Sequence, residues 1–365
     1  MFSQSIHLTI KVHFCIIAVY IMRIPICPDV TNILSRQIGK RCIMTHVVEL
    51  SAPGGVQNLS FVSREIGTPG PGEIRLRQTG AGVNFIDIYQ RKGIYPLSMP
   101  AVLGVEGAGV VEAVGEGVTQ FAVGDRIGYA GAVGGYAEAR LLPAWRGLKL
   151  PQDVSSELAA SSLLRACTAH MLLHKVHQVT PGTTILIHAG AGGLASIVMP
   201  WAKRMGARIM ATVSIDAKAD LALANGADTV IIGRNADIAG EARKWTDGLG
   251  VDFTIDGIGE PTFRASLEAT AKFGTFASVG QAGGPLVTLS ANDLGAQRSI
   301  AFHMPSVMAY LADPLRYEGV MRASIAALSA GPGRVVGPKF ALSDSSAAQS
   351  SLENGVTTGT PLLVI

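Results

Sequence analysis

The sequence predicts an α/β protein of two domains, one a β-rich, partly closed barrel and the other a doubly wound parallel sheet. Three observations carry that expectation. Residues 183–214 run strand, glycine turn, helix, strand. Helical and strand patterns then alternate to about residue 303, the signature of a parallel sheet with crossover helices. Ahead of them, residues 46–127 hold many short strands punctuated by glycine, with no helical period, which suggests the barrel.

Length and composition agree with this. A chain of 365 residues is long for one core. With 48% hydrophobic and 16% charged residues it reads as a soluble α/β enzyme and not as a disordered or fibrous chain. A net charge of +3 is too weak to imply nucleic acid. The four cysteines, Cys15, Cys27, Cys42 and Cys167, have no CxxC spacing and so indicate neither a zinc cluster nor a disulfide framework. No internal repeat is present.

The first 43 residues differ from the rest. The apolar stretch 8–22 is interrupted by Lys11 and His13 and falls short of the roughly 20 residues of a spanning helix. Basic residues outnumber the single acid, Asp29, as in a mitochondrial presequence. Translation from Met44 is the first expectation, a targeting segment the second, and residues 1–43 are left out of the fold. The expected location is cytoplasmic, or mitochondrial if that segment is a presequence.

Strands are expected at 46–50 and 59–62 around Pro53-Gly54-Gly55, and at 73–77, where apolar and charged residues alternate. Residues 155–178 read as one long helix joining the domains, with His170, His174 and His177 on it as surface or interdomain residues. In the glycine turn, Gly190-Ala191-Gly192-Gly193-Leu194-Ala195, Gly190 makes the turn and Gly192 admits a pyrophosphate, while Ala195 lets helix pack on strand. The phosphates belong on the helix beginning near Gly193, with Gly193 and Leu194 as further contacts, and Pro200 inside that helix predicts a kink. Helices at 216–225, 237–246 and 261–271 alternate with strands at 228–232, 251–256, 274–279 and 299–303. A helix at 318–330 and a strand at 362–365 return the chain to the first domain.

At this point a resemblance becomes specific. NFIDIYQRKGIYP (84–96), LGVEGAGVVEAVGEGV (103–118), VGDRI, GGYAEA (134–139), the glycine turn, GADTVI (226–231), TDGLGVDFTIDGIG (246–259) and LENGVTTGTPLL (352–363) resemble the medium-chain dehydrogenase/reductases. Within them the chain is most similar to the zinc-free, zeta-crystallin-like quinone oxidoreductases. That likeness implies a GroES-like domain over 44–168 and 307–365 and a Rossmann domain over 169–306. Zinc-dependent relatives carry GHExxG, but here the motif reads Gly104-Val105-Glu106-Gly107-Ala108-Gly109, with valine in place of the imidazole ligand. No catalytic metal is expected.

The resemblance also implies site residues. Asn84, Tyr89 and Tyr95 match positions lining the substrate cleft, with Asp87 as an anchor of their loop. Thr168, Val279 and Gly280 match positions beside the nicotinamide. Ser214 stands where an NAD-preferring site places an acid, and Lys218, which follows it, matches the family's phosphate-binding lysine. The cofactor is therefore expected to be NADPH. Two departures bear on this, since Gly233 and Gly355 replace a tyrosine and an arginine of the family; Arg234 is the compensating candidate. The expected activity is hydride transfer from NADPH to a quinone, with a reductase of enones or alkenals as the nearest alternative and a non-catalytic NADPH- or RNA-binding protein as the second. A homodimer is implied, with no nucleic-acid partner and no membrane span.

Overall fold

The computed structural model describes residues 42–285, 287–295, 297–329 and 336–365. Residues 1–41 of the N-terminal extension lie outside that set. The fold begins slightly earlier than Met44, because Ile43 already pairs with Ile66.

The β-rich half holds two sheets. β1 (Ile43–Leu50) and β2 (Leu59–Ile66) form the expected hairpin. β3 (Glu73–Gly82) keeps the period of two, with Ile74 and Leu76 fully buried and Arg75 reaching Glu112. β4 (Ala101–Val102), β5 (Glu106–Val114), β6 (Arg126–Ala130), β7 (Ala139–Pro143) and β8 (Leu148–Lys149) follow. β4 joins the hairpin, while β5, β6 and β8 extend the larger sheet from β3, and β7 pairs with β3 as well. The two sheets are stitched where Val48 N–H donates to Tyr136 O at 2.8 Å, which closes one side of a barrel.

Between them lies α1 (Phe85–Arg91). The expected single helix over 155–178 is instead α2 (Ser156–Ala160), α3 (Leu163–His170) and a wider π-type turn over Met171–Val176. Two serines make the break. Ser161 turns its hydroxyl back onto Glu157 O at 2.9 Å, and Ser162 leaves helical geometry at φ −138°. The gap also frees Leu164 N–H for a longer-range partner described below.

The second half is one six-stranded parallel sheet. β9 (Thr184–Ile187) is central and buried along its length, with β10 (Arg208–Val213) and β11 (Thr229–Ile232) to one side and β12 (Val251–Asp256), β13 (Thr270–Ser278) and β14 (Ala301–His303) to the other. Winding reverses between β9 and β12, so a crevice opens beyond their carboxyl ends. The crossovers are α4 (Ala195–Arg204), α5 (Ala219–Ala224), α6 (Ile238–Trp245) and α7 (Glu260–Ala269). α4 starts two residues later than expected and continues through the buried Pro200. β13 begins at Thr270, earlier than expected, and passes through Phe273 in the left-handed region at φ 61°.

After helix Pro314–Ser329, β15 (Val336–Ala341) and β16 (Thr360–Val364) return to the first sheet, with β16 antiparallel to β3. Helix Pro314–Ser329 packs on α3, and Cys167 is buried there against Met321. The largest core cluster runs through α3 into β9, β10 and α4, so the strands beneath the crevice rest on the same packed mass as the joining helix.

One glycine shows how tightly the first sheet is drawn. A Cβ on Gly109 would lie 2.1 Å from Arg77 O, at an irregularity in the β3–β5 register. Gly109→Ala is expected to destabilise the protein by about 1–3 kcal/mol in urea denaturation. An unchanged midpoint would contradict this packing.

Candidate active site

The crevice is a cavity of about 680 Å³ walled by both halves of the chain. Asn84, Tyr89, Tyr95, Thr168, Gly192, Gly193, Leu194, Val279 and Gly280 all line it. Gly190 lies under the turn, and Ser214, Lys218 and Arg234 sit beyond the lining at the strand ends.

On the barrel side, Asn84 caps α1 in extended geometry. Its backbone N–H donates to Asp87 Oδ2 at 2.8 Å, and one side-chain N–H donates to Glu106 Oε1 at 2.7 Å. One amide hydrogen therefore remains for a ligand. Glu106 is fully buried, and its other oxygen accepts Leu164 N–H at 2.7 Å, the group freed by the break before α3. Burial pushes the Glu106 carboxyl up to about 7 against those hydrogen bonds. Asp87 anchors the head of α1, where the sequence suggests a loop, accepting also from Tyr136 O–H at 2.9 Å, and burial pushes it up to about 7.

Tyr89 is buried, and its hydroxyl oxygen accepts the Gln281 N–H across the cleft at 3.0 Å. Its own proton stays free to donate, and burial raises its pKa, which holds that proton at neutral pH. Tyr95 is 46% exposed and meets the Tyr89 ring edge-on at 5.6 Å. The pair forms a wall open to solvent on the Tyr95 side.

On the sheet side, the turn differs in detail from the expectation. The left-handed residue is Ala189 at φ 53°, whereas Gly190, Gly192 and Gly193 all avoid that region. Gly190 is needed for close packing, since a Cβ there would come 2.7 Å from the Ala211 Cβ. The backbone N–H groups of Gly193 and Leu194 have no acceptor among the described residues. They stand ahead of the ten-residue helix α4, where unpaired donors and the helix dipole favour an anion. Thr168 Oγ1 bonds back to Leu164 O at 2.8 Å and leaves an acceptor lone pair on the cavity.

Farther along the edge, Gly233 N–H donates to Val213 O at 2.9 Å and ties together the ends of β10 and β11. Ser214 and Lys218 are half-buried there, and Arg234 is exposed. The side chains of Lys218 and Arg234 make no hydrogen bond or ion pair among the described residues. Asp216, exposed, lies in the same short turn as Lys218. Unpaired donors at the glycine turn and free cations at the strand ends fit a dinucleotide with a 2′-phosphate.

Three groups were not singled out by the sequence patterns. They are Glu106 as a hub, Gln281 as the partner of Tyr89, and Arg165, the one charge in the run Leu163–Ala169 and itself on the cavity wall. That single charge in an otherwise uncharged helical turn was the one available signal. The rings of His170 and His174 lie 4.7 Å apart beside Trp201, but His177 does not join them. His170 meets Tyr310 O–H at 3.1 Å, and His177 stacks on Phe253. Among the described residues no group of three or more His, Cys, Asp or Glu could hold a metal ion, and Val105 is fully buried in the core.

Comparison with known proteins gives consistent matches. Residues 193–325 match the family model described as zinc-binding dehydrogenase, and residues 70–152 that of the alcohol dehydrogenase GroES-like domain. A Pseudomonas aeruginosa quinone oxidoreductase is 34% identical over 88% of this chain and 100% of its own length. A 2-haloacrylate reductase from Burkholderia sp is 37% identical over 85% of this chain and 96% of its own. The crystal structure of Escherichia coli quinone oxidoreductase complexed with NADPH superposes with a TM-score of 0.82 at 31% identity, covering 88% of this chain and 100% of that one.

The raised carboxyl of Asp87 makes stability depend on pH. A free aspartate releases its proton near pH 4, but the folded one keeps it to about 7. Through that window the folded state carries the extra proton, so this group's contribution falls as pH rises and levels off above about 7. Asp87→Asn should shrink the drop in urea midpoint between pH 5 and pH 8. Equal drops in both proteins would refute the assignment.

Proposed function

The chain belongs to the quinone oxidoreductase family of the medium-chain dehydrogenase/reductases, and on that premise we propose that its crevice is where NADPH meets a quinone-like acceptor. The protein is an NADPH-dependent oxidoreductase. What carries the reading is that the glycine turn's free N–H groups and the polar tips of Asn84 and Tyr89 open onto one cavity.

When bound, NADPH supplies a hydride from C4 of its nicotinamide. Gly193 and Leu194 N–H groups take the pyrophosphate, with the dipole of α4 behind them. Lys218 and Arg234 take the 2′-phosphate. Thr168, Val279 and Gly280 orient the nicotinamide, and the apolar walls, among them Leu97, Val133 and Met308, exclude water from the acceptor. Fixing both reactants in line is worth roughly 7–11 kcal/mol of barrier. Tyr89 Oη–H and the second amide hydrogen of Asn84 donate to the acceptor oxygen as negative charge develops there. One hydride and one proton, the latter from solvent, would together convert the quinone to the hydroquinone.

We read the reaction as metal-independent, because a valine occupies the position of the imidazole ligand in zinc-dependent relatives. We assign residues 44–168 with 307–365 to the GroES-like catalytic domain and 169–306 to the Rossmann domain. Homodimerisation and a cytoplasmic location complete the proposal, drawn from the resemblance. No described helix is long and apolar enough to cross a membrane.

The similarity to a 2-haloacrylate reductase supports a second reading, reduction of an activated C=C bond in the same cavity. NADPH consumption with quinones and enones side by side separates the two. Faster turnover with a quinone is expected, and turnover confined to the enone would favour the alternative.

Two variants test the residue roles. Replacing both Lys218 and Arg234 by alanine should loosen NADPH about tenfold or more while leaving the NADH dissociation constant within about twofold. An unchanged NADPH to NADH ratio would remove both residues from the site. Tyr89→Phe should lower kcat/KM about tenfold through kcat, and unaltered kinetics would end its role as donor.

A further inference from the structure

Arg165 is the one cavity-lining cation of the described residues whose charge the reading above leaves unused. It stands in the first turn of α3 and is 8% exposed. Its Nη2 donates to Ser161 O and, at 3.4 Å, to Ser162 Oγ. Its Nε and Nη1 are buried with no partner among the described residues. Glu106 is the acid whose charge acts on it, but both Glu106 oxygens are already taken by Asn84 and Leu164. Burial lowers the guanidinium to about 10, so it stays charged at neutral pH.

A buried cation with two unmet donors is destabilising, and such groups persist where an anion completes them. The packing shows where that anion belongs. A Cβ on Gly193 would come 2.0 Å from Arg165 Nη1 and 3.0 Å from its Cζ, so the guanidinium lies against the glycine turn itself. At that turn the Gly193 and Leu194 N–H groups are also without acceptors among the described residues, ahead of α4.

We propose that Arg165 is the side-chain half of the pyrophosphate site, its guanidinium and the Gly193 and Leu194 N–H groups together neutralising the dinucleotide's phosphates. The inference rests on the NADPH reading and adds to it a charged residue that no glycine motif contains. It also gives position 193 a second reason to be glycine, because any side chain there would displace the guanidinium.

The test compares ligands that differ in the pyrophosphate. NADPH, 2′-phospho-ADP-ribose and 2′-AMP are titrated against the wild type and Arg165→Met, with Arg165→Lys as the charge-keeping control. The expected result is a loss of about ten- to hundredfold for NADPH and 2′-phospho-ADP-ribose with Arg165→Met. Affinity for 2′-AMP, which has no pyrophosphate, should stay within about twofold, and Arg165→Lys should recover most of the loss. If all three ligands weaken together, or none does, the proposal is overturned. It is equally overturned if NADPH binding holds while the acceptor KM rises, which would give the cation to an anionic acceptor. Arg165→Gln carries the same comparison should the methionine variant fail to fold. Failure of the wild type to bind NADPH would instead sink the cofactor reading.

Discussion

The structure around the crevice hangs on the buried carboxylate of Glu106. Projecting from the start of β5, it holds Asn84 at the head of α1 with one oxygen and Leu164 at the head of α3 with the other. It thereby fixes a barrel strand, the helix that presents Tyr89, and the helix that presents Thr168 and Arg165. The demand for space is strict, since a Cβ on Gly82 would fall 2.3 Å from Glu106 Oε1. A carboxylate so deeply buried is tolerable only because each oxygen receives a donor.

Opposite this hub, the parallel sheet offers the one place where winding reverses, and the glycine turn sits there because β9 is its central strand. The two halves meet through Tyr89 and Gln281. That bond costs the tyrosine nothing as a donor, because its oxygen accepts while its proton stays available. Structural linkage and the proposed donor role thus share one hydroxyl group without competing for it.

Much of this was legible in the sequence, for physical reasons that can be named. The run Ile185-Leu186-Ile187 ahead of a glycine cluster demanded a buried strand and a tight turn, and both are present. Period-two alternation placed β3 correctly. Local pattern failed where a distant partner decided the outcome. The break at Ser161 and Ser162 looks like helix until Glu106 claims Leu164 N–H, and these residues are 58 positions apart. The bond from Asn84 to Glu106 spans 22 positions, and no local pattern signals it. The left-handed position fell on Ala189 and not on a glycine, since close packing against Ala211 claimed the glycine first. Arg165 belongs to no motif, and Gln281, inside the loop 279–284 that resembles the one beside the nicotinamide, finds Tyr89 only through packing across 192 positions.

The account's central claim is that the hydride passes straight from cofactor to acceptor within this crevice, with side-chain donors and no metal ion meeting the developing charge. Single-turnover mixing of enzyme, quinone and NADPH in chelator, repeated with deuterium at the transferable C4 position, tests it most directly. The account predicts full activity in chelator and a slower reaction with the deuterated cofactor. Activity lost to the chelator and restored by zinc, or a reaction step indifferent to deuterium, would contradict it.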